Sequence, residues 1–302
     1  MATPARLPAL PLAALLLVAG CVAPRGQDRP VPPPVAPAPP APRITAPVVR
    51  LDGVPMQGAL LHGRVDPGAT LTLDGRPVAV AADGGFVLGF DRDAPASALL
   101  VASRPDAAGS VPDQPTPLTV APRDWKIERV DAPYRAGRTS AEFAALRPAE
   151  LAQIVAARAR TTDAAGWRQR FVWPATGRQS GWFGSQRVYQ GQPGSYHSGA
   201  DVAVPTGTPI VAPADGVVIL AAAQPFTLEG NLLMIDHGMG VSTALLHLSR
   251  IDVRVGDHVR QGQPVGLSGA TGRVTGPHLH WGLQWNGARL DPLLVVGHGP
   301  AE

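Results

Sequence analysis

The sequence has little cysteine, little lysine and no long hydrophobic stretch. Cys21 is the only cysteine among 302 residues, so no disulfide can form within one chain. Lys126 is the only lysine, and the net charge of +3 therefore rests on arginines dispersed along the chain. Without a dense basic run, the composition does not indicate nucleic-acid binding. The apolar run at residues 7–18 is too short for a membrane-spanning helix.

That run instead has the length of a signal-peptide core, and a positively charged arginine precedes it. Small residues lead up to Cys21, and the resulting VAGC motif resembles the lipobox of bacterial lipoproteins. The resemblance implies that residues 1–20 are a signal peptide and that acylation of Cys21 anchors the protein in a membrane. Val22 stands where aspartate is the usual inner-membrane retention signal. We therefore expect a cell-envelope protein, lipid-anchored in the outer membrane and facing the periplasm.

Two segments of different composition follow the cysteine. Residues 21–47 are dominated by proline and alanine, which cannot build a core and favour extended polyproline II, so a stiff tether is expected. Between residues 48 and 122, short apolar segments alternate with glycine, proline and aspartate, and Asp74-Gly75 predicts a hairpin. This pattern predicts a small Ig-like β-sandwich. It serves as a spacer in one interpretation and binds glycan or a partner in the other.

A connector is expected at residues 123–170, with one short helix at 148–160. A proline at the start of this helix suits the first turn. Apolar residues follow at the spacing of one helical face, namely Leu151, Ile154 and Val155. The helix joins the two domains in the simplest interpretation, and the alternative is a lid or inhibitory segment over a groove.

The last third of the chain contains residues with metal-ligand chemistry. Side chains on a β-strand alternate between faces, so the spacing in His278-Leu279-His280 directs both imidazoles to one side. His197 and Asp201 are four residues apart, a spacing that a helical turn or a glycine-containing loop brings together. A catalytic zinc site commonly uses three nitrogen or oxygen ligands from the protein and keeps one position for water. These four polar residues can supply such a site, although each pair alone is common by chance.

A third element, His247 in VSTALLHLSR, extends these pairs into a longer pattern. The segment 171–294 contains, in order, WPATGRQSGWFGSQR, HSGADVAVPTGTPIVAPADGVV and IDHGMGVSTALLHLSRIDVRVGDHVRQGQPVGLSGATGRVTGPHLHWGL. This succession resembles the LytM/lysostaphin-like zinc metallopeptidases, which cut peptide bonds in bacterial peptidoglycan. The resemblance implies that residues 171–297 form an antiparallel β peptidase domain. One position departs from the family pattern, because Leu245 stands where a tyrosine is common.

The resemblance also implies that His197, Asp201 and His280 bind Zn²⁺, with His247 and His278 beside the metal. A bound zinc ion lowers the pKa of its water to about 7 and polarises the scissile carbonyl. Histidine titrates near neutrality, so one unligated imidazole can accept the proton of the water while a second stabilises the developing oxyanion. We assign His278 as the general base and His247 as the transition-state stabiliser.

These expectations describe a mainly β protein, with an Ig-like β-sandwich and an antiparallel β metallopeptidase domain joined by a short helix. The expected function is a lipid-anchored zinc endopeptidase that hydrolyses peptide bonds in peptidoglycan stems or cross-links. Peptidoglycan, the membrane and cell-division or cell-wall enzymes are the expected partners, and nucleic acid is not. One alternative is a non-catalytic, cell-wall-binding activator of an amidase. Another is a structural lipoprotein with a decayed site.

The remaining histidines receive structural interpretations. His237 is expected on a turn between two strands, where it forms hydrogen bonds near the site. His258 is expected as a solvated hairpin residue. His62 lies in the N-terminal domain and His298 in the C-terminal tail.

Overall fold

Short β-strands and tight turns make up most of the chain that the computed structural model describes, which comprises residues 47–104, 113–133 and 141–296. The prediction of a mainly β, antiparallel fold is confirmed over these ranges. The predicted signal peptide, lipidation site and most of the tether lie outside the described residues, as does His298. Within the described ranges, no helix has both the length and the apolar character needed to cross a membrane.

The N-terminal part folds into two antiparallel sheets that share one hydrophobic core. Its strands are β1 (Val49–Asp52), β2 (Leu60–Val65), β3 (Thr70–Leu73), β4 (Arg76–Val78), β5 (Gly85–Gly89), β6 (Ser97–Ser103) and β7 (Gln114–Thr119). They are ordered β1-β2-β5 in one sheet and β4-β3-β6-β7 in the other. The predicted hairpin joins β3 to β4, and Asp74 and Gly75 both have positive φ, at 49° and 75°. A two-residue turn of this kind matches the twist of the strands that it connects.

The rest of the described chain adds three further sheets. Its strands are β8 (Ile127–Val130), β9 (Arg178–Gly181), β10 (Gln186–Tyr189), β11 (Gln192–Tyr196), β12 (Ala200–Ala203), β13 (Pro209–Val211), β14 (Gly216–Ala221), β15 (Asn231–Gly238), β16 (Val241–Leu248), β17 (Arg250–Ile251), β18 (His258–Val259), β19 (Pro264–Leu267), β20 (Leu279–Trp285) and β21 (Ala288–Leu290). The largest sheet has the order β18-β14-β15-β16-β20-β12-β9, with β21 paired to β20. The smaller sheets have the orders β13-β19-β17 and β11-β10-β8. Only β8 and β10 pair in parallel among the described strands.

The connector helix, α1 (Ala141–Arg158), differs from the prediction at its start and on its buried face. It begins seven residues before Pro148, so the expectation that this proline occupies the first turn was wrong. An internal proline removes one backbone hydrogen bond. Ile154 is buried against the β14–β15 side of the large sheet, whereas Leu151 and Val155 are exposed. The predicted apolar face is therefore only partly the packing face.

Polar contacts on either side of this proline fasten α1 to the segment between β14 and β15. Arg147 binds both carboxylate oxygens of Glu229, at 2.6 and 2.8 Å. Glu150 accepts hydrogen bonds from the backbone N–H and the hydroxyl of Thr227, at 2.6 and 2.7 Å. Burial raises the pKa of Glu150, but the bonds from Thr227 and Arg147 outweigh it and leave the pKa below its ordinary value. These side chains hold the helix at the edge of the large sheet.

The N-terminal sheets and the large sheet pack against each other through a continuous hydrophobic core. At Gly89 in β5, an added Cβ would lie 2.8 Å from Cβ of Trp285 and 3.2 Å from Leu290, so the close approach requires glycine. His62 in β2 also hydrogen-bonds the carbonyl of Trp167 at 2.6 Å. The domain boundaries inferred from composition stay predictions, but the two parts share one core.

Candidate metal centre and active-site cleft

Two neighbouring strands and the segment before one of them bring three metal-ligand side chains together. Asp201 in β12 lies directly opposite His280 in β20, and His197 precedes β12. Asp201 Oδ1 is 3.0 Å from His197 Nε2 and 2.9 Å from His280 Nδ1. The two ring nitrogens are 3.1 Å apart. Three metal-ligand atoms from two segments about 80 residues apart in sequence thus converge on one point.

The separations of these atoms fit one small metal ion. Ligands bound at about 2.0–2.1 Å to a tetrahedral ion lie roughly 3.3 Å from one another, slightly more than the distances seen here. His197, Asp201 and His280 are also the group that the described residues offer as a metal site. The second nitrogen of His197, Nδ1, lies 3.0 Å from the carbonyl of Trp182. A carbonyl only accepts, so Nδ1 carries a proton and Nε2 is the nitrogen left to bind a metal.

His247 and His278 stand beside this group, with their rings tilted by 50° relative to each other. Their rings are 4.9 Å apart, and the His247 ring is 6.2 Å from that of His280. Nδ1 of His247 donates to the carbonyl of Thr271 at 2.9 Å, and Nδ1 of His278 donates to that of Gly276 at 2.9 Å. In both neutral rings Nε2 is then the basic nitrogen, and in His278 it lies 3.8 Å from Asp201 Oδ1. The structure brings together all five residues that the sequence singled out.

Burial and hydrogen bonding set the charges in the centre. Burial raises the pKa of Asp201, but the bonds from His197 and His280 outweigh it and hold the pKa far below its ordinary range. Burial lowers the pKa of His247 to about 4, and it also lowers the pKa of His280. For His197 burial acts the same way, but the hydrogen bond and charge of Asp201 prevail and raise the pKa. The ionised carboxylate of Asp201 and the neutral imidazole of His280, the forms that bind metal, are favoured at this centre, whereas the raised pKa of His197 favours an imidazolium that gives up a proton when metal binds.

The backbone of His247 has a conformation that sequence reasoning did not anticipate. Its φ of 65° lies in the left-handed region, which is uncommon for a residue other than glycine. Its N–H donates to the carbonyl of Glu229 at 2.9 Å, so the segment fastened by α1 also holds the histidine. Strained backbone that persists at such a place is a common property of functional sites. Backbone carbonyls such as those of Thr271 and Trp182 carry no signal in the sequence.

Two positions next to the ligands show how closely the centre is packed. An added Cβ at Gly199 would lie 2.7 Å from His280 Nε2, so the HSGAD segment needs glycine for close approach. Leu245 is fully buried, and it pairs with Trp281 in the register of β16 and β20. It faces the core on the side away from His280, so the absence of tyrosine there leaves the ligand group intact.

The other described histidines lie away from the metal group. His237 is fully buried, with Nδ1 2.7 Å from the carbonyl of Asp215 and Nε2 2.9 Å from the Thr243 hydroxyl. Its structural role is confirmed, but it lies within β15 and not on a turn. His258 is exposed in β18, as expected for a solvated residue.

Comparison with known proteins identifies the family to which the chain belongs. The model of peptidase family M23 matches residues 195–292. A solved structure of a putative peptidase M23 from Pseudomonas aeruginosa is 30% identical to the chain, with a TM-score of 0.60. That match covers 80% of this chain and 95% of the other. The chain belongs to peptidase family M23.

Curated relatives are similar to this chain over parts of their length. The peptidoglycan DD-endopeptidase ShyA of Vibrio cholerae is 51% identical over 97 residues, which cover 32% of this chain and 22% of ShyA. The cell division protein DipM of Caulobacter vibrioides is 33% identical over 202 residues, which cover 63% of this chain and 30% of DipM. The chain thus matches less than a third of either relative.

Proposed function

We propose that the chain is a zinc-dependent endopeptidase that hydrolyses peptide bonds in bacterial peptidoglycan stems or cross-links. The convergence of the His197, Asp201 and His280 donor atoms within an M23 peptidase domain carries this proposal. ShyA, the relative named as a peptidoglycan DD-endopeptidase, supports the choice of substrate.

The donor set fits zinc, since two imidazoles and one carboxylate are ligands that zinc takes in catalytic sites. When bound, zinc lowers the pKa of water and polarises a carbonyl. Asp201 would be held in its ionised form by His197 and His280 before any metal arrives, so the ligand geometry is preorganised. The Trp182 carbonyl keeps the His197 ring in the ligating tautomer.

The unligated histidines would move the protons. The basic Nε2 of His278, 3.8 Å from Asp201 Oδ1, is placed to accept a proton from water in the cleft. Once protonated, the ring can donate to the amine that leaves. The His247 ring lies 4.9 Å from the His278 ring, and its Nε2 would donate to the developing oxyanion in the protonated form, which the negative charge of that oxyanion favours. The carbonyls of Gly276 and Thr271 keep these rings in place during the transfers.

Digestion of purified peptidoglycan tests the proposal. We expect the protein to release soluble muropeptides, a chelator to abolish the release and added Zn²⁺ to restore it. Mass spectrometry of the products identifies the bond that is cut. Intact peptidoglycan after incubation with zinc-loaded protein would argue that the protein is instead a non-catalytic activator of an amidase. No described residue favours that alternative.

For the N-terminal part we propose an Ig-like sandwich, in keeping with its two antiparallel sheets and common core. Because that core continues into the large sheet, we favour support of the peptidase domain over a free spacer. Cell-division or cell-wall enzymes are proposed as partners, with a relative named as a cell division protein in support.

We also propose that Cys21 is acylated and that the protein faces the periplasm from the outer membrane, on the strength of the VAGC motif. Stable anchoring is expected because each buried methylene contributes about 0.8 kcal/mol. Cys21→Ser should move the protein from the membrane fraction to the soluble fraction on cell fractionation. An exposed-residue change such as His258→Ala should leave it with the membranes, and an unchanged distribution of the Cys21 variant would contradict lipidation.

A further inference from the structure

The active-site cleft continues from the metal group along the face of the large sheet, under α1. A cavity of about 370 Å³ begins at His247 and His280. Residues 147–158 of α1 supply one wall of this cavity. Its floor consists of side chains from β16 and β20 that point away from the core, namely Ser242, Ala244, Leu246, Gly282 and Gln284. At Gly282 an added Cβ would meet nothing closer than 3.8 Å, so the middle of the floor is open.

Two arginines stand at the far end of this cavity. Arg158, in the last turn of α1, and Arg289, in β21, line both the cavity and a neighbouring space of about 660 Å³. Partial desolvation and the positive charge of Arg289 lower the pKa of the Arg158 guanidinium against the opposing charge of Glu229, although the side chain as a whole is exposed. Because both residues line the same two spaces, the two cations face a shared volume.

Neither guanidinium has a carboxylate within salt-bridge distance among the described residues, in contrast to Arg147, which Glu229 and Glu150 neutralise. Glu229 is the sole carboxylate among the described residues that line the cavity, and it is bound to Arg147. Asp91 bonds the backbone N–H of Arg289 and the hydroxyl of Tyr196, at 2.8 and 3.2 Å. The Arg289 guanidinium lies 5.7 Å from the Tyr196 ring centre, and Asp236 in the neighbouring space accepts hydrogen bonds from Thr162. The far end of the cleft thus carries two guanidinium groups that form no ion pair with the described carboxylates.

An arginine guanidinium forms paired, charge-assisted hydrogen bonds with a carboxylate, and a carboxylate between two arginines also relieves their repulsion. We propose that Arg158 and Arg289 form a subsite for a free carboxylate of the peptide substrate, so that the cleft selects acidic peptides. The proposal rests on the peptidase function proposed above. It makes the C-terminal end of α1 a determinant of specificity.

Matched substrates test this subsite. Two cross-linked peptides of the same sequence would be compared, one with free side carboxylates and one with carboxamides. For the wild-type protein we expect kcat/KM for the carboxylate form to be at least tenfold higher. Arg158→Gln and Arg289→Gln should each lower the ratio of kcat/KM values for the two substrates about tenfold, and the double variant should remove the preference. Arg250→Gln, at an exposed arginine paired with Asp252, should leave the ratio unchanged.

Binding of the same peptides, measured by calorimetry, separates the two proposals. Equal cleavage of both peptides by the wild type, or an equal fall for both in the variants, would overturn the subsite and leave the peptidase function standing. If neither peptide is cleaved, the peptidase function fails, and equal dissociation constants for the two peptides would then overturn the subsite as well. Tighter binding of the carboxylate form, weakened in Arg158→Gln, would support it.

Discussion

Replacing His280 by alanine should remove both bound zinc and peptidase activity, whereas replacing His278 by alanine should remove activity and leave zinc in place. His280 Nδ1 lies in the group of three converging donor atoms, so its loss leaves two ligands for the metal. His278 Nε2 is 3.8 Å from Asp201 Oδ1 and stands outside that group. A general base typically contributes about 10²–10⁴-fold to the rate, and we expect a loss of that size for His278→Ala.

Zinc stoichiometry, measured by elemental analysis of the purified variants beside kcat/KM, checks this division. His258→Ala is the matched control, since this exposed histidine lies on another strand and should change neither quantity. Loss of zinc from His278→Ala, or full zinc occupancy in His280→Ala, would show that the ligand and base assignments are wrong.

Replacing Arg92 by methionine should both destabilise the fold and weaken zinc binding. This buried arginine lies in the turn between β5 and β6, and it donates to the carbonyl of Gly184 and to the side chain of Gln186, each at 3.0 Å. Its guanidinium also lies 4.8 Å from the ring centre of Tyr196 and 5.3 Å from that of Trp125. Methionine fills part of the volume but leaves these acceptors without a donor. We expect a loss of about 2–4 kcal/mol in the free energy of unfolding.

The effect on zinc affinity follows from the hydrogen bonds that connect Gly184 and Ser185 to His197. Gly184 N–H donates to the carbonyl of His197, and His197 N–H donates to that of Ser185, each at 2.8 Å. Arg92 therefore holds the segment that carries a ligand, and disturbance of such supporting contacts typically costs about 10–100-fold in metal affinity.

Competition with a chelating dye measures the zinc affinity, and denaturant unfolding measures the stability. Arg250→Met removes an exposed ion pair with Asp252 and should leave both quantities unchanged. Unchanged zinc affinity in a destabilised Arg92→Met protein would mean that Arg92 supports the fold without positioning His197.

Short sequence patterns predicted those parts of the fold that are determined by residues close together in the sequence. His278 lies immediately before β20, and its approach to the His280 side agrees with the predicted alternation. The Asp74-Gly75 turn was confirmed because its conformation is encoded in two residues. The metal group was predictable because its residue types are scarce in combination and its longer pattern resembles a known family.

Contacts between residues distant in sequence determine the features that short sequence patterns did not predict. The start of α1 was misplaced because a proline inside a helix has the same sequence signal as a proline in its first turn. Val155 fits an apolar helical stripe, yet it is exposed because the large sheet reaches only the Ile154 side. The left-handed conformation of His247 and the hydrogen bond from Arg92 to Gly184 both depend on segments distant in sequence. Residue spacing in the sequence therefore does not predict them.

The contact at Gly89 limits how the chain can be divided. With β5 gone, the surfaces of Trp285 and Leu290 that now meet it would face water, at the end of the strand that carries His280 and on the strand paired with it. A peptidase fragment that begins at residue 171 would therefore expose an apolar surface patch and would be prone to aggregate. Recombination that exchanges one peptidase module for another would have to carry the N-terminal sheets along with it, so the two parts are expected to be inherited as one unit.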